Sequence, residues 1–212
     1  METWISPSSA ERRERSRELM RADILQAARR ILDAQGVKGL AMRALGGAVG
    51  VTAPTLYDYF ASKEEVLNAL HREGTHLLTE EFEAAVAATE PGLGRLEELG
   101  WAYRRFGRAN PDLYLLIFGR VDASYRPGEE EGNCAKGVFG LFIGAVQEAI
   151  DLGQVCGYEA EALAHILWFS AHGFVSLEIS GFLEAFASNQ LDELFAATLR
   201  RFNTISDPGH KD

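Results

Sequence analysis

Apolar residues recur at helical spacing along most of this chain, and no run alternates with a period of two. From Met20, the stripe i, i+3, i+4, i+7 is formed by Ile24, Ala27, Ala28, Ile31 and Leu32. Helix-breaking residues separate later segments at Pro91-Gly92, Asn110-Pro111, Arg126-Pro127-Gly128 and Gly157. Because no segment qualifies as a strand, the pattern predicts an all-α fold.

Two short helices and a tight turn follow the first helix, which is predicted to stop at Gly36. The second is predicted over 42–50, and Thr52 is a good N-cap for a third over 53–60, APTLYDYF. Ser62 and Glu65 have the spacing of a capping box, which predicts a long helix to about Leu78. Further helices are predicted at 94–108, 112–123, 133–153, 159–181 and 188–204.

Charge divides the chain into two parts. The net charge is −10, yet residues 1–76 hold 11 Lys and Arg against 10 Asp and Glu, whereas residues 77–212 hold 10 against 21. A near-neutral module can still bind phosphates if its basic groups share a face. We expect a charged N-terminal arm (1–19) that is mobile or extends the first helix, a helix-turn-helix domain (20–66), a larger helical domain (67–205) and a tail (206–212).

The helix-turn-helix segment carries hydroxyl-bearing and aromatic side chains at positions outside its small core. Its small core is expected to consist of Leu45, Val49, Val51, Leu56 and Phe60. The remaining side chains then face outward: Thr52, Ala53, Thr55, Tyr57, Asp58 and Tyr59. Such a face suits the major groove of DNA, where side chains donate to phosphates and contact base edges. The alternative is an ordinary helical bend in which the tyrosines are half-buried.

The segments ILQAARRILDAQG and MRALGGAVGVTAPTLYDYFASKEEVLNAL resemble the DNA-binding domain of the tetracycline-repressor (TetR) family of transcriptional regulators. The resemblance covers about Arg21 to Leu70. It implies that Arg43 contacts a base edge or a phosphate and that Thr52, Tyr57 and Lys63 hold phosphates. It also implies that the bases are faced by Ala53, Pro54, Thr55 and Tyr59.

The second helix departs from the family pattern. Ala41 occupies the N-cap position, which forfeits about 1 kcal/mol of capping free energy. Gly46 and Gly47 lie inside the helix, where each costs about 1 kcal/mol relative to alanine. These residues predict a loosely formed second helix.

The resemblance further implies that the rest of the chain is a ligand-binding and dimerisation domain. The segment with Trp168, His172-Gly173 and Glu178 resembles one C-terminal subgroup of the family. The helix 159–181 is apolar nearly all round, so it needs partners on every side. By resemblance, it and the last helix pair with their mates across a twofold axis; the alternative is burial within one chain. The predicted interface residues are Leu191, Leu194, Phe195, Thr198, Leu199 and Phe202.

Seven side chains of the middle helices are candidates for a ligand pocket. At helical spacing such residues are either plain core or, collectively, the lining of an apolar cavity. They are Phe106, Tyr114, Phe118, Phe139, Phe142, Trp168 and His172. His165 and His172 share a helix face, but no cysteine or carboxylate stands at ligand spacing, so no metal site is predicted.

These patterns favour a ligand-responsive transcriptional regulator, most simply a repressor, that binds a near-palindromic operator as a homodimer and is released by a small molecule. An activator of the same fold, an all-α enzyme and a structural helical module are the alternatives. No Gly-rich phosphate loop, HExxH or GxSxG motif is present, so no catalytic or cofactor-binding residues are assigned. We expect no membrane span, because His165, His172 and Glu178 interrupt the most apolar window. The two cysteines form neither a CxxC motif nor a disulfide framework, which favours the reducing cytoplasm.

Overall fold

The computed structural model describes residues 8–119, 125–187 and 189–204, and their side chains except at 186–187 and 201–204. Within these ranges all regular structure is helical, which confirms the all-α prediction. The helices are α1 (Ser9–Gly39), α2 (Met42–Ala48), α3 (Ala53–Tyr57), α4 (Lys63–Ala88), α5 (Leu93–Ala109), α6 (Pro111–Phe118), α7 (Glu129–Asp151), α8 (Ala160–Ile179), α9 (Glu184–Ala187) and α10 (Leu191–Thr204).

Helix α1 begins eleven residues before the predicted start at Met20. The Ser8 hydroxyl accepts from the Glu11 amide, and the Glu11 carboxylate accepts from the Ser8 amide, which completes a capping box. The charged segment 9–19 is therefore helical and continuous with the rest of α1. Gly36 (φ 64°) kinks the helix at the predicted stop.

The small core of α1 to α3 is built as predicted: Leu45, Leu56 and Phe60 are buried, and Val49 and Val51 pack against them. The N-cap residue Ala41 makes no side-chain cap, whereas the Thr52 hydroxyl accepts from the Thr55 amide.

Gly46 has a packing role that the sequence analysis missed. The Val51 amide donates to the Gly46 carbonyl over 2.9 Å, and a Cβ on Gly46 would lie 2.9 Å from the Val51 carbonyl oxygen. Only glycine allows α2 and α3 to approach this closely. A Cβ on Gly47, in contrast, would meet no atom within 4 Å, so no close contact requires glycine at that position.

Helix α4 is longer than predicted and forms the centre of the molecule. Ser62 caps it by accepting from the Glu65 amide, while the Glu65 carboxylate accepts from the Ala61 amide, one residue before the capping-box position. Helix-favouring residues carry α4 ten residues past Leu78, to Ala88. It packs against α1, α5, α6 and α7 and so joins the two halves of the chain.

An arginine cluster fixes α1 against this framework. Arg29 of α1 donates to Asp112 of α6 over 3.1 Å, to Glu73 of α4 over 3.1 Å and to Asn110 over 2.9 Å. One guanidinium therefore joins α1 to both α4 and the first turn of α6.

Helix α8 is the segment on which the expectation of no membrane span depends. Among the described residues it is one helix, Ala160–Ile179, that is long and apolar enough to cross a membrane by length and composition alone, with 28% of that stretch buried. Its ionisable residues have protein partners: Glu178 pairs with Arg104, and His172 contacts Tyr103 and Tyr114. A core helix with one uncovered apolar face has these properties.

Candidate nucleic-acid interface and ligand cavity

The predicted DNA-facing side chains gather on the outer surface of α2 and α3. Arg43, Pro54 and Thr55 are exposed, and Tyr57 has 51% of its surface accessible although it follows the buried Leu56. The hydroxyls of Thr52 and Thr55 lie 2.9 Å apart, and Ala53 is partly exposed. A ring and two hydroxyls in solvent have no role in the core, which supports their assignment to a partner.

Tyr59 lies differently from the other predicted residues. It is half-buried in the turn after α3, with the Arg17 guanidinium 5.8 Å from the centre of its ring. Arg17 also donates to the Asp58 carbonyl over 2.9 Å, and Arg21 donates to the Tyr59 carbonyl. The ring of Tyr59 thus packs against α1, and its contact with a base remains a prediction.

Lys63 has a structural contact in addition to its predicted phosphate. Its ammonium donates to the Val37 carbonyl over 2.7 Å and so provides a hydrogen bond to a carbonyl in the last turn of α1. An ammonium has three donors, so two remain for another acceptor.

A cavity of about 530 Å³ lies among α4, α5, α6, α7 and α8. Its lining is mostly apolar and aromatic, as is usual for small-molecule sites. Four of the seven predicted residues line it: Phe118, Phe139, Phe142 and Trp168. Phe106 and Tyr114 do not line it; they are fully buried in the core, and His172 stands behind the wall.

Tyr103, which the sequence analysis did not select, forms the polar end of the cavity. The Trp168 indole N–H donates to the Tyr103 hydroxyl over 3.3 Å, and that hydroxyl donates to Tyr114 over 3.2 Å. Tyr114 in turn lies 2.7 Å from Nδ1 of His172. Tyr103 shares the stripe of Leu96, Leu99 and Phe106 on α5, and this spacing was the available signal.

Burial keeps this chain of hydrogen bonds neutral. It raises the pKa of the Tyr103 phenol, raises the pKa of Tyr114 to about 12 and lowers the pKa of His172. At pH 7 the two phenols are protonated, and a neutral imidazole accepts the last hydrogen bond at Nδ1. The polar end therefore offers hydroxyl groups and no net charge.

Among the described lining residues, the charged groups lie toward the outer side of the cavity. Lys136 and Glu161 contribute to its lining and are exposed. His165 donates from Nδ1 to the Glu161 carbonyl over 2.8 Å, and its ring lies 4.7 Å from that of Phe139. A ligand in the cavity would therefore contact apolar side chains along most of its length and polar groups at its two ends.

The outer face of α8 and α10 carries a group of exposed apolar side chains. Ile166, Phe169 and Leu177 of α8 are exposed, as is Leu194 of α10. Thr198 is partly exposed and donates to the Leu194 carbonyl, and Leu191 is also partly exposed.

Two predicted interface residues face the other way. Phe195 is fully buried against Trp101, with 5.0 Å between the ring centres, and Leu199 is buried beside Gly100. Both are already enclosed in their own protomer, so placing them in a dimer interface was wrong. The side chain of Phe202 lies outside the described residues.

Comparison with known families decides what this arrangement is. Residues 24–70 match the model of bacterial regulatory proteins of the tetR family, and residues 96–202 match the tetracyclin repressor-like C-terminal domain. The chain belongs to the TetR family. The first matched region covers most of α1, α2, α3 and the start of α4, and the second covers most of α5 and all of α6 to α9, so the family resemblance is confirmed.

Relatives and solved structures agree with membership in the TetR family. The HTH-type transcriptional regulator Rv1816 of Mycobacterium tuberculosis is 26% identical over 147 residues, which is 68% of this chain and 63% of that protein. The crystal structure of the regulatory protein SCO4313 superposes with a TM-score of 0.77 at 24% identity, over 93% of this chain and 98% of that one. FadR of Bacillus subtilis, solved with stearoyl-CoA, has a TM-score of 0.70 at 15% identity, over 87% and 98%.

Within the described ranges, no three His, Cys, Asp or Glu side chains gather closely enough to hold an ion. Cys134 and Cys156 are both exposed.

Proposed function

We propose that this TetR-family protein is a cytoplasmic, ligand-responsive transcriptional repressor. It binds a near-palindromic operator as a homodimer, and a small molecule in the cavity releases it. The observation that carries the proposal is the combination, in one chain, of an exposed Thr/Tyr face on α3 and an apolar cavity among α4 to α8.

DNA binding is assigned to α2 and α3. Thr52, Tyr57 and Lys63 hold phosphates, Arg43 contacts a base edge or a phosphate, and Thr55 contacts bases together with Ala53, Pro54 and Tyr59. Two copies related by a twofold axis would place their α3 helices about 34–36 Å apart or a small multiple of that distance. The boundary between the DNA-binding unit and the rest then falls within the first turn of α4.

Helix α6 connects the cavity to the DNA-binding unit. Ile117 and Phe118 at its C-terminal end line the cavity, while Asp112 at its N-terminal end holds Arg29 of α1. A ligand that displaces Phe118 moves a helix of eight residues as a unit. Because a ligand acts only through its differential affinity for two states, the bound state must be one in which α1 and α3 are rotated away from groove spacing.

The DNA-binding assignment predicts that Tyr57→Phe weakens binding to the DNA upstream of the protein's own gene about threefold to tenfold, because a phenol that donates to a phosphate loses its donor. The measurement is fluorescence anisotropy with a labelled duplex of that region. Tyr158→Phe removes the same atom from an exposed tyrosine on the other half of the chain and is the matched control. Equal affinities of the two variants would contradict the assignment.

The cavity assignment predicts that Ala171→Phe abolishes binding of the neutral apolar dye N-phenylnaphthylamine, because Ala171 lines the cavity and a phenyl ring would occupy it. Dye fluorescence on titration with protein is the measurement. Ala84→Phe adds the same atoms to the exposed side of α4 and should leave dye binding unchanged. Dye binding by Ala171→Phe at the wild-type affinity would show that the dye enters elsewhere.

A further inference from the structure

The helix-turn-helix of this protein carries almost no positive charge. Residues 42–62 contain Arg43 as their one basic residue and Asp58 as their one acidic residue. Neutralisation of phosphates by Lys and Arg supplies most of the salt-dependent affinity of DNA-binding proteins. With α2 and α3 alone, this chain would have little of that term.

Two other arginines of the DNA-binding half pair with carboxylates. Arg29 is held by Asp112 and Glu73, and Arg72 pairs with Glu130 and Glu131. Lys63 uses one of its three N–H groups on the Val37 carbonyl. Within this half, the richest stretch of positive charge is the N-terminal extension of α1, residues 9–21, with five arginines against three glutamates.

The extension lies directly beside α3. Arg17 donates to the Asp58 carbonyl and covers the ring of Tyr59, and Arg21 donates to the Tyr59 carbonyl. A shallow recess forms between the two elements, with Arg13 and Glu14 on one side and Asp58 on the other. These contacts connect the extension to the turn that ends the recognition helix.

The charges of the extension are sorted by helix face. At 3.6 residues per turn, Arg12, Arg13 and Arg17 lie along one side of α1, together with Ser16. Arg15 lies on the opposite side, next to Glu11 and Glu18. The segment is exposed throughout and buries no apolar side chain between Ser9 and Leu19, so packing does not explain its helical form.

We propose that this extension is a second DNA-contacting element, whose Arg12–Arg13–Arg17 side binds the phosphate backbone next to the bases contacted by α3. It goes beyond the helix-turn-helix contacts and rests on the proposed DNA binding of the chain. Asp58 and Glu14 carry negative charge in the recess, so phosphates meet the rim formed by Arg13 and not the recess itself. Each protomer brings one extension, so a dimer gains two such contacts.

The test compares Arg13→Gln with Arg15→Gln, which remove the same charge from opposite sides of one helix. Anisotropy titrations of a labelled duplex of about 30 bp from the upstream region are repeated over a range of salt concentrations. Arg13→Gln should weaken binding about threefold to tenfold and lower the salt slope by about one per half-site. Arg15→Gln should stay within about twofold of the wild type, with its slope unchanged.

Conservative and folding controls accompany the pair. Arg13→Lys keeps the charge and should bind like the wild type, and far-UV circular dichroism compares the helix content of all variants. Equal losses of DNA affinity in Arg13→Gln and Arg15→Gln would overturn the proposal. So would an Arg13→Gln variant that binds DNA more weakly but keeps the wild-type salt slope. Failure of the wild type itself to bind the upstream duplex would instead count against the proposed function.

Discussion

Replacing Glu178 with glutamine is expected to lower the free energy of unfolding by about 3–5 kcal/mol, since it leaves a buried arginine without its one largely buried carboxylate partner among the described residues. Arg104 of α5 is only 2% exposed. Its Nε and Nη2 each donate to the Glu178 carboxylate over 2.7 Å, in a bidentate pair between α5 and α8. Unfolding in urea at one fixed protomer concentration measures the change.

The surroundings of Arg104 explain why the effect should be large. The rings of Trp101, Phe174 and Phe195 enclose the guanidinium at 5.0–5.5 Å, and within the described residues its Nη1 is buried without a hydrogen-bond partner. The aromatic faces attract the cation but replace none of the lost hydrogen bonds. A charge in this position depends on Glu178.

Asp192 provides the matched control, because it contacts the same guanidinium over 2.8 Å but is 77% exposed. Asp192→Asn removes one carboxylate from Arg104 and should cost less than about 1 kcal/mol. The double variant Arg104→Met with Glu178→Leu removes both charges and should recover most of the loss. If Glu178→Gln and Asp192→Asn were equally mild, the pair would not be the determinant of α5–α8 packing.

Phe169→Glu is expected to dissociate the dimer that we propose. Phe169 is 59% exposed on α8, beside the exposed Ile166 on the same helix. Near a twofold axis, each substitution places two carboxylates in an apolar contact, and hot-spot aromatic residues contribute about 2–4 kcal/mol, or roughly 30-fold to 1,000-fold in the dissociation constant. Sedimentation equilibrium over micromolar concentrations measures the change.

Leu152→Glu is the control for surface charge, since Leu152 is also exposed but follows α7, away from this face. It should leave the dimer intact. Phe169→Glu should also weaken operator binding, because a monomer contacts one half-site only. A wild type that is monomeric at micromolar concentration, or a Phe169→Glu variant that remains as dimeric as Leu152→Glu, would contradict the proposed interface.

The DNA-binding unit was the part most accessible from sequence. Its core alternates closely with outward hydroxyls, so Leu45, Leu56 and Phe60 could be assigned to the inside and Tyr57 to the outside before any coordinates. For the charged arm, the sequence left open whether it extends α1 or is mobile, because the extension has no apolar stripe and its helix begins at the Ser8–Glu11 capping box. Apolar periodicity reveals helices that bury one face, and residues 9–19 bury no side chain.

The C-terminal half shows a different limit. A stripe on α10 indicates that residues are buried but not by which chain, so Phe195 and Leu199 were assigned to a partner although they pack on α5. The cavity was predicted in outline, because Phe118, Phe142 and Trp168 line it. Whether an aromatic residue lines a cavity or fills the core depends on distances of a few ångströms between helices, which single-sequence spacing does not determine.

The position of the short helix α6 affects how a regulator of this kind can evolve. Its C-terminal Ile117 and Phe118 line the cavity, and its Asp112 holds Arg29. In the regulator that we propose, substitutions at either end of α6 would therefore alter sensing and DNA response together. Phe139, Phe142 and Trp168 belong to α7 and α8, which have no part in that cluster. New effector specificities are therefore most accessible through α7 and α8, and a designer of biosensors from this protein would diversify those helices and leave α6 unchanged.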